Sequence, residues 1–344
     1  MSAALTRSVY MPPAAAAPWR LADLYAPAEV RFYRYGRHAL AAAIRAAGGG
    51  PVLIPGFFCR EVLSAVPAAG GRTVFYSVGP DLQPDSDNAL WPRAQAVLAV
   101  DFFGFPADLA PFRAYALRTG AAIIEDASHA LFSRDADGRL LGARADFGVL
   151  SPRKTLPLSD GGALIVSAPS PARRLPAASE ALGRGSARSC LKAAARPLLA
   201  ATGARTARGL LEALRAARGF DWRDRLGREG SEAEPLGDAA PSAALAGPLT
   251  CGDEAGERTR RRALYELCAG TARELGLAPV FPSLPDRVVP YAFAFRAAPA
   301  AAEAAYEAFR RLGLSVLPWP DLPGAVRAAA PAHYHDVYLA HFLW

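Results

Sequence analysis

An α/β fold with a mostly parallel sheet is the architecture this sequence predicts, and three observations predict it. Short apolar runs such as Val52-Leu-Ile-Pro55, Ala96-Val-Leu-Ala-Val100 and Phe147-Gly-Val-Leu150 recur through the first half of the chain. They alternate with alanine- and leucine-rich segments of helical length, residues 35–47 and 109–119. The runs are apolar throughout rather than at every second position, which is the pattern of strands covered by helices on both faces.

The elements can be justified in order. Residues 1–30 read as an extended arm, because Pro12, Pro13, Pro18 and Pro27 oppose a helix. Residues 35–47 read as a helix closed by Gly48-Gly-Gly50. Strands are predicted at 52–55 and 73–77, with a helix at 61–68 between them. The strand at 96–101 leads into the turn Phe103-Gly-Phe-Pro106 and a helix at 109–119. Further strands follow at 121–125, 147–150 and 163–166. Residues 170–230 are rich in arginine and alanine, and 205–218 reads as an amphipathic helix with Leu210, Leu211 and Leu214 on one side. Residues 231–256 read as a linker. A helix at 258–275, a strand at 291–296, a helix at 300–312 and a strand at 315–317 make a small α+β unit. The expected division is an arm over 1–30, a large domain over 31–250 and a small C-terminal domain over 251–344.

Composition narrows the function classes. The chain is 52% apolar over 344 residues, so it can bury a large core, yet no apolar run is long enough to span a bilayer. Residues 1–19 have no clean apolar core of a signal peptide. Cys59, Cys190, Cys251 and Cys268 have no metal-ligand spacing, so no metal site is expected, and they suit a reducing cytoplasm. The net charge of +7 is concentrated in residues 173–230, which hold 13 basic and 5 acidic side chains. Those cations are not interleaved with aromatics, so nucleic acid is not the expected partner. Either a solvated helix face or an approach for an anionic substrate, with Arg205, Arg208, Arg215 and Arg218 near it, fits the stretch.

One residue type is conspicuous by its rarity. Only Lys154 and Lys192 are lysines among 39 basic residues. Where arginine has replaced lysine almost everywhere, a lysine should persist where guanidinium cannot act, because an amine can deprotonate and attack a carbonyl. Lys154 follows the apolar run 147–150, and Asp126 ends the run 121–125. In parallel sheets, ligands collect at the carboxyl ends of strands. A lysine amine that condenses with an aldehyde, and a carboxylate that keeps a pyridine nitrogen protonated, are what an enzyme needs to use pyridoxal 5'-phosphate (PLP) as an electron sink. The simpler readings are a solvated lysine and a helix-capping aspartate.

Five segments, in order over roughly residues 30–170, carry a family resemblance: Gly36-Arg-His-Ala-Leu40, Ile54-Pro-Gly-Phe-Phe-Cys59, Asp101-Phe-Phe-Gly-Phe-Pro-Ala-Asp108, Glu125-Asp-Ala-Ser-His129, and Lys154-x-Leu followed by Gly161-Gly162. The chain resembles the nucleotide-sugar aminotransferases of the DegT/StrS type, which are fold-type-I PLP enzymes. The resemblance implies a large PLP-binding domain, a small C-terminal domain and a homodimer. It implies a reaction that moves an amino group from glutamate or glutamine to a keto sugar, expected to be nucleotide-linked. It casts Lys154 as the Schiff-base lysine and the base that moves the substrate proton, and Asp126 as the partner of the ring nitrogen. His129 would lie near the ring hydroxyl or ring face, and Gly36 with Arg37 at the phosphate.

The sequence also departs from the family. The serine usual five residues before the lysine is Val149, with Ser151 the candidate substitute. The ring-stacking position is Cys59, beside Phe57 and Phe58, so either a phenyl ring stacks or the cysteine packs on the cofactor. The family's Gly-x-Asn-x-Arg loop is not recognisable. Two other outcomes stay open: a catalytically silent PLP-fold binding or assembly protein, and a PLP enzyme of another kind, such as a lyase or decarboxylase.

Overall fold

The computed structural model describes residues 14–167 and 232–342 apart from positions 86, 159, 233 and 242, together with residue 214. Arg205, Arg208, Arg215 and Arg218 lie outside the described residues, as does most of the basic stretch 173–230.

The main sheet is built from β2 (Glu29–Tyr33), β3 (Gly50–Pro55), β4 (Gly71–Tyr76), β5 (Ala96–Val100), β6 (Ala122–Asp126), β7 (Phe147–Leu150) and β8 (Gly162–Val166). Its strand order is β2-β8-β7-β6-β5-β3-β4. The five strands from β3 to β7 run parallel, whereas β8 is antiparallel to both β7 and β2. Strands β5 to β8 are buried along their whole length, as their unbroken apolar runs require. Helix α1 (Gly36–Ala46) packs on this sheet and buries nine of its eleven residues. Its alanines explain this, since a helix of small side chains can be enclosed on nearly every face. Helix α2 (Ala110–Thr119) follows β5 and ends at Gly120, whose φ of 76° a side chain would strain.

Three regions differ from the sequence expectation. The arm contains β1 (Ala14–Trp19) and ends in β2, the outermost strand of the main sheet. The supposed linker contains β9 (Leu249–Cys251), which pairs antiparallel with β1. The helix at 61–68 is instead a 3₁₀ segment, Arg60–Ser64, followed by one turn, Ala65–Ala68, in which Pro67 offers no backbone donor.

Helix α3 (Glu254–Glu274) starts four residues earlier than expected, because the Asp253 side chain caps it by accepting from the Gly256 amide at 2.8 Å. Beyond it lie β10 (Ala278–Pro279), β11 (Ala292–Arg296), α4 (Pro299–Arg311), β12 (Ser315–Pro318) and β13 (Val337–His341). These four strands form an antiparallel sheet in the order β10-β11-β13-β12. Strand β13 was not expected from the sequence. Among the described residues, no helix is long and apolar enough to cross a membrane.

Candidate functional site

A cavity of about 610 Å³ opens at the carboxyl ends of β5, β6 and β7, reached by Val100, Asp126 and Val149. All eight residues singled out in the sequence line it: Gly36, Arg37, Phe58, Cys59, Asp126, His129, Ser151 and Lys154.

Asp126 is the last residue of β6, and a hydrogen bond from the Ser128 amide at 3.0 Å to its Oδ1 fixes its carboxylate. Lys154 ends a single 3₁₀ turn, Pro152–Lys154, separated from β7 by Ser151. The Lys154 amide donates to the Ser151 carbonyl at 2.9 Å, and its Nζ lies 3.0 Å from His129 Nε2. Burial lowers the pKa of the Lys154 amine below the ordinary lysine value; the Asp126 charge pulls the other way and Arg153 adds to the lowering. Burial holds His129 well below the usual histidine range, helped by Lys154 and His341. A neutral imidazole can accept the lysine bond through Nε2.

Gly36 opens α1, and its neighbour Tyr35 is extended, so the amide end of the helix meets the cavity. A side chain at Gly36 would fill the space there: its Cβ would lie 3.3 Å from Ser128 Oγ and from the Leu150 carbonyl, and 3.4 Å from Ser151 Cβ. The helix can start here only because residue 162 is glycine. A Cβ on Gly162 would lie 2.2 Å from the carbonyl carbon of Tyr35. The Tyr35 ring is flanked by guanidinium groups, with the Arg153 and Arg37 carbons 5.1 and 5.3 Å from its centroid. Arg37 is also paired with Glu61.

The two phenyl rings before Cys59 separate cleanly. Phe58 lines the cavity. Phe57 is fully buried and packs on Trp319 and Tyr334, both at 5.1 Å between ring centroids, so it faces the core. Burial pushes the Cys59 thiol up, which favours the neutral thiol as a packing group.

Sequence reasoning missed the opposite wall, made by Tyr291, Trp319 and His341. Tyr291 stacks on His129 with centroids 4.2 Å apart and planes 9° apart. Its hydroxyl meets His341 Nε2 at 2.5 Å. These residues come from separate segments with no common spacing. Ser128, inside the quoted segment 125–129, and Arg153, next to Lys154, were also passed over, although their position beside Asp126 and Lys154 was a usable signal.

Each wall is held from behind by a buried ion cluster. Arg144 donates to Glu125 at 2.6 Å and to Asp101 at 2.7 Å, which fixes the strand end next to Asp126. Arg261 donates to Glu257 at 2.7 Å and to the carbonyls of Thr155, Pro290 and Tyr291 at 3.2 Å each. It thus joins the backbone after Lys154 to the residue stacked on His129. Among the described residues, no group of three or more His, Cys, Asp or Glu is placed to hold a metal ion. The arrangement offers a half-buried amine of lowered basicity, a fixed carboxylate and a helix end suited to an anion.

The chain is similar to known proteins in both sequence and fold. Residues 34–184 match the sequence model of the DegT/DnrJ/EryC1/StrS aminotransferase family. The chain is 36% identical over 150 residues to the dTDP-3-amino-3,4,6-trideoxy-alpha-D-glucose transaminase of Streptomyces venezuelae, covering 41% of this chain and 39% of that protein. It is 31% identical over 142 residues to the UDP-N-acetyl-3-dehydro-alpha-D-glucosamine 3-aminotransferase of Acidithiobacillus ferrooxidans, covering 39% of this chain and 38% of that protein. The matched stretches therefore span well under half the length of these relatives. A solved DegT/DnrJ/EryC1/StrS aminotransferase from Brucella abortus superposes with a TM-score of 0.55 at 16% identity, covering 94% of this chain and 83% of that one. The architecture is that of the fold-type-I aminotransferases, a mostly parallel central sheet with helices and a smaller α+β unit.

Proposed function

We propose, with that resemblance to the DegT/StrS aminotransferases as the premise, that this chain is a PLP-dependent aminotransferase. It would transfer an amino group from glutamate or glutamine to a keto sugar carried on a nucleotide. The observation that carries the reading is the placement of Lys154 and Asp126 on one cavity with the open amide end of α1. The substrate class rests on the two sugar-nucleotide relatives. Cytoplasmic location is in keeping with Cys59 and Cys268, which carry no disulfide. A homodimer rests on the resemblance.

The residues present fit the cofactor. The space at Gly36 that a Cβ would fill, bordered by Ser128 and Ser151, is a cradle for a phosphate at a helix N-terminus. When bound, PLP supplies an aldehyde for a lysine and a pyridine ring that takes up electrons. Lys154 would hold it covalently through Nζ. Its lowered basicity leaves a neutral amine, ready to attack and later to accept a substrate proton, at a lower pH than a free lysine. Asp126 would pair with the ring nitrogen and keep it protonated. His129 bonds to Nζ and would lie against the ring hydroxyl or ring face. Phe58 and Cys59 would cover the ring, with Cys59 as an uncharged thiol. Arg37 reaches the same cavity, but its pairing with Glu61 makes it a secondary phosphate partner.

Borohydride trapping tests the proposal. The purified protein incubated with PLP should absorb in the visible and lose that band on reduction. Peptide mapping should place the pyridoxyl group on Lys154. Lys154→Arg should fold normally and lose both trapping and amino transfer completely. A label on Lys192, or none on the wild type, would sink the reading.

A further inference from the structure

Several separate devices bring Tyr291 against His129. Its segment passes this close because residue 104 is glycine: a Cβ there would lie 2.7 Å from the Val289 carbonyl oxygen and 3.2 Å from that of His129. Ser133 grips Val289 through both backbone groups, donating to the carbonyl at 3.1 Å and accepting from the amide at 2.9 Å. The Tyr291 amide donates to the Phe103 carbonyl at 2.8 Å. Phe103 stands at a φ of 56°, a left-handed backbone that a bulky residue adopts only where its surroundings enforce it. Its ring lies nearly parallel to that of His129, at 5.8 Å and 17°. Tyr291 lies closer and flatter, at 4.2 Å and 9°.

The far end of Tyr291 is fixed as well. Burial raises its hydroxyl above the ordinary tyrosine range, so the group stays protonated and donates to His341 Nε2, 2.5 Å away. The His341 ring stands edge-on to the Tyr291 ring at 4.8 Å and 89°. Two stacked rings alone can slide over each other. A hydroxyl bonded to the last residue of another strand, β13, removes that freedom. The imidazole beneath then keeps one orientation, with Nε2 3.0 Å from Lys154 Nζ.

We propose that Tyr291 is the positioning residue of the His129–Lys154 pair and acts as one unit with His341: the ring sets the imidazole plane, and the hydroxyl bond to His341 stops the ring from sliding. One N–H of the neutral amine is thereby directed at His129 Nε2, and the nitrogen lone pair is left for the cavity. The proposal deepens the PLP reading and rests on it for the aldehyde that this amine meets.

Two readouts test it. The first uses no cofactor: nitrogen NMR of the histidine rings in the full chain, with His129 assigned by its loss in His129→Gln. Wild-type His129 should be a single neutral tautomer with its proton on Nδ1. Tyr291→Phe keeps the ring and loses the hydroxyl, and His341→Leu loses the acceptor. Both should mix the tautomers to the same extent, and His341→Gln, which offers an acceptor again, should restore the single form. The second readout is the rate at which Lys154 captures pyridoxal at saturation. Tyr291→Phe and His341→Leu should each lower it by about 5-fold, the loss of one hydrogen bond expressed as a rate. The double variant should fall no further, because the two groups act together. Tyr291→Leu, which removes the stack, should lose about 10- to 100-fold. The half-saturating concentration should hold in all of them.

A charged or mixed His129 in the wild type, or a His129 signal that no variant moves, overturns the proposal. So does a double variant that shows the product of the single losses. A half-saturating concentration that rises while the maximal rate holds would make Tyr291 a ligand contact instead. If Tyr291→Leu does not fold, Tyr291→Phe and the His341 variants still decide. A wild type that captures neither PLP nor pyridoxal would remove the PLP reading, and the His129 signal would then decide the role of Tyr291 by itself.

Discussion

The wall of the cavity at the ends of β5 to β7 and the wall made by Tyr291, Trp319 and His341 are each backed by a buried ion cluster, and the clusters are inverted in composition. Behind the first, one arginine, Arg144, serves two acids, Asp101 and Glu125. Behind the second, one acid, Glu257, serves two arginines, Arg260 and Arg261. Asp101 and Glu257 accordingly titrate in opposite directions. Burial and the Glu125 charge push Asp101 well up, against the pull of Arg144. Burial works to raise Glu257 too, but Arg261 and Arg260 outweigh it and hold its carboxyl below the usual range. The first cluster depends on a single cation to pin a strand end. The second has a spare cation, and its arginine reaches across to backbone carbonyls of two segments. The wall that carries Asp126 is therefore held through a single arginine, and the aromatic wall through a shared acid.

The sharpest way to break this contrast is Arg144→Met. It strands two buried acids, and removing one partner of a buried pair costs about 3–5 kcal/mol. The urea midpoint of unfolding should fall accordingly, and a near-normal midpoint would show that the acids do not depend on Arg144. Arg261→Met should be milder, about 2 kcal/mol, because Arg260 still neutralises Glu257 while the hydrogen bonds of one charged donor are lost. It should also slow borohydride trapping at Lys154, since Thr155 and Tyr291 lose their common anchor; unchanged trapping would detach the two walls from each other.

The smallest effect is expected from acid. Glu257 titrates below its unfolded value, so its stabilisation is present above the ordinary glutamate range and is lost as pH falls through the depressed value. Asp101 titrates above its unfolded value, so its ionised form is disfavoured in the fold and acid relieves it. Hydrogen-exchange protection in α3 should thus fall before protection in β5 and β6 once the pH drops below the ordinary glutamate range. The reverse order would contradict the assigned directions.

The same two walls mark what could be read from the sequence. Strands β3 to β8, α1 and α2 were legible because continuous apolar runs and alanine-rich segments report burial locally. Lys154 and Asp126 were legible because their types are chemically irreplaceable and they follow strand runs. The residues at the open end of α1 were half legible: Gly36 and Ser151 were named, whereas Ser128 and Arg153, their neighbours in the cavity lining, were not. Tyr291, Trp319 and His341 were invisible, since only tertiary packing brings three distant segments to one surface. Strands β1 and β2 were hidden by the prolines around them, and β9 by the Pro/Gly-rich character of its neighbourhood. The ion clusters were hidden because a buried arginine has the same local signature as a solvated one.

The pairing of β1 with β9 has a consequence of another kind. One carboxylate, Asp253, receives the Ala16 amide on Oδ2 and caps α3 through Oδ1. The contact between Ala16 and Asp253 joins residues 237 positions apart. Everything from the arm to the end of the main sheet is thereby enclosed in a single loop, fastened by a two-stranded clasp with one shared acid. Closing so long a loop is entropically expensive and is rewarded only after the enclosed sheet exists. The clasp is therefore a late event in assembly and an early one in local opening, so the chain can release its first strand without dissolving the sheet that carries Lys154.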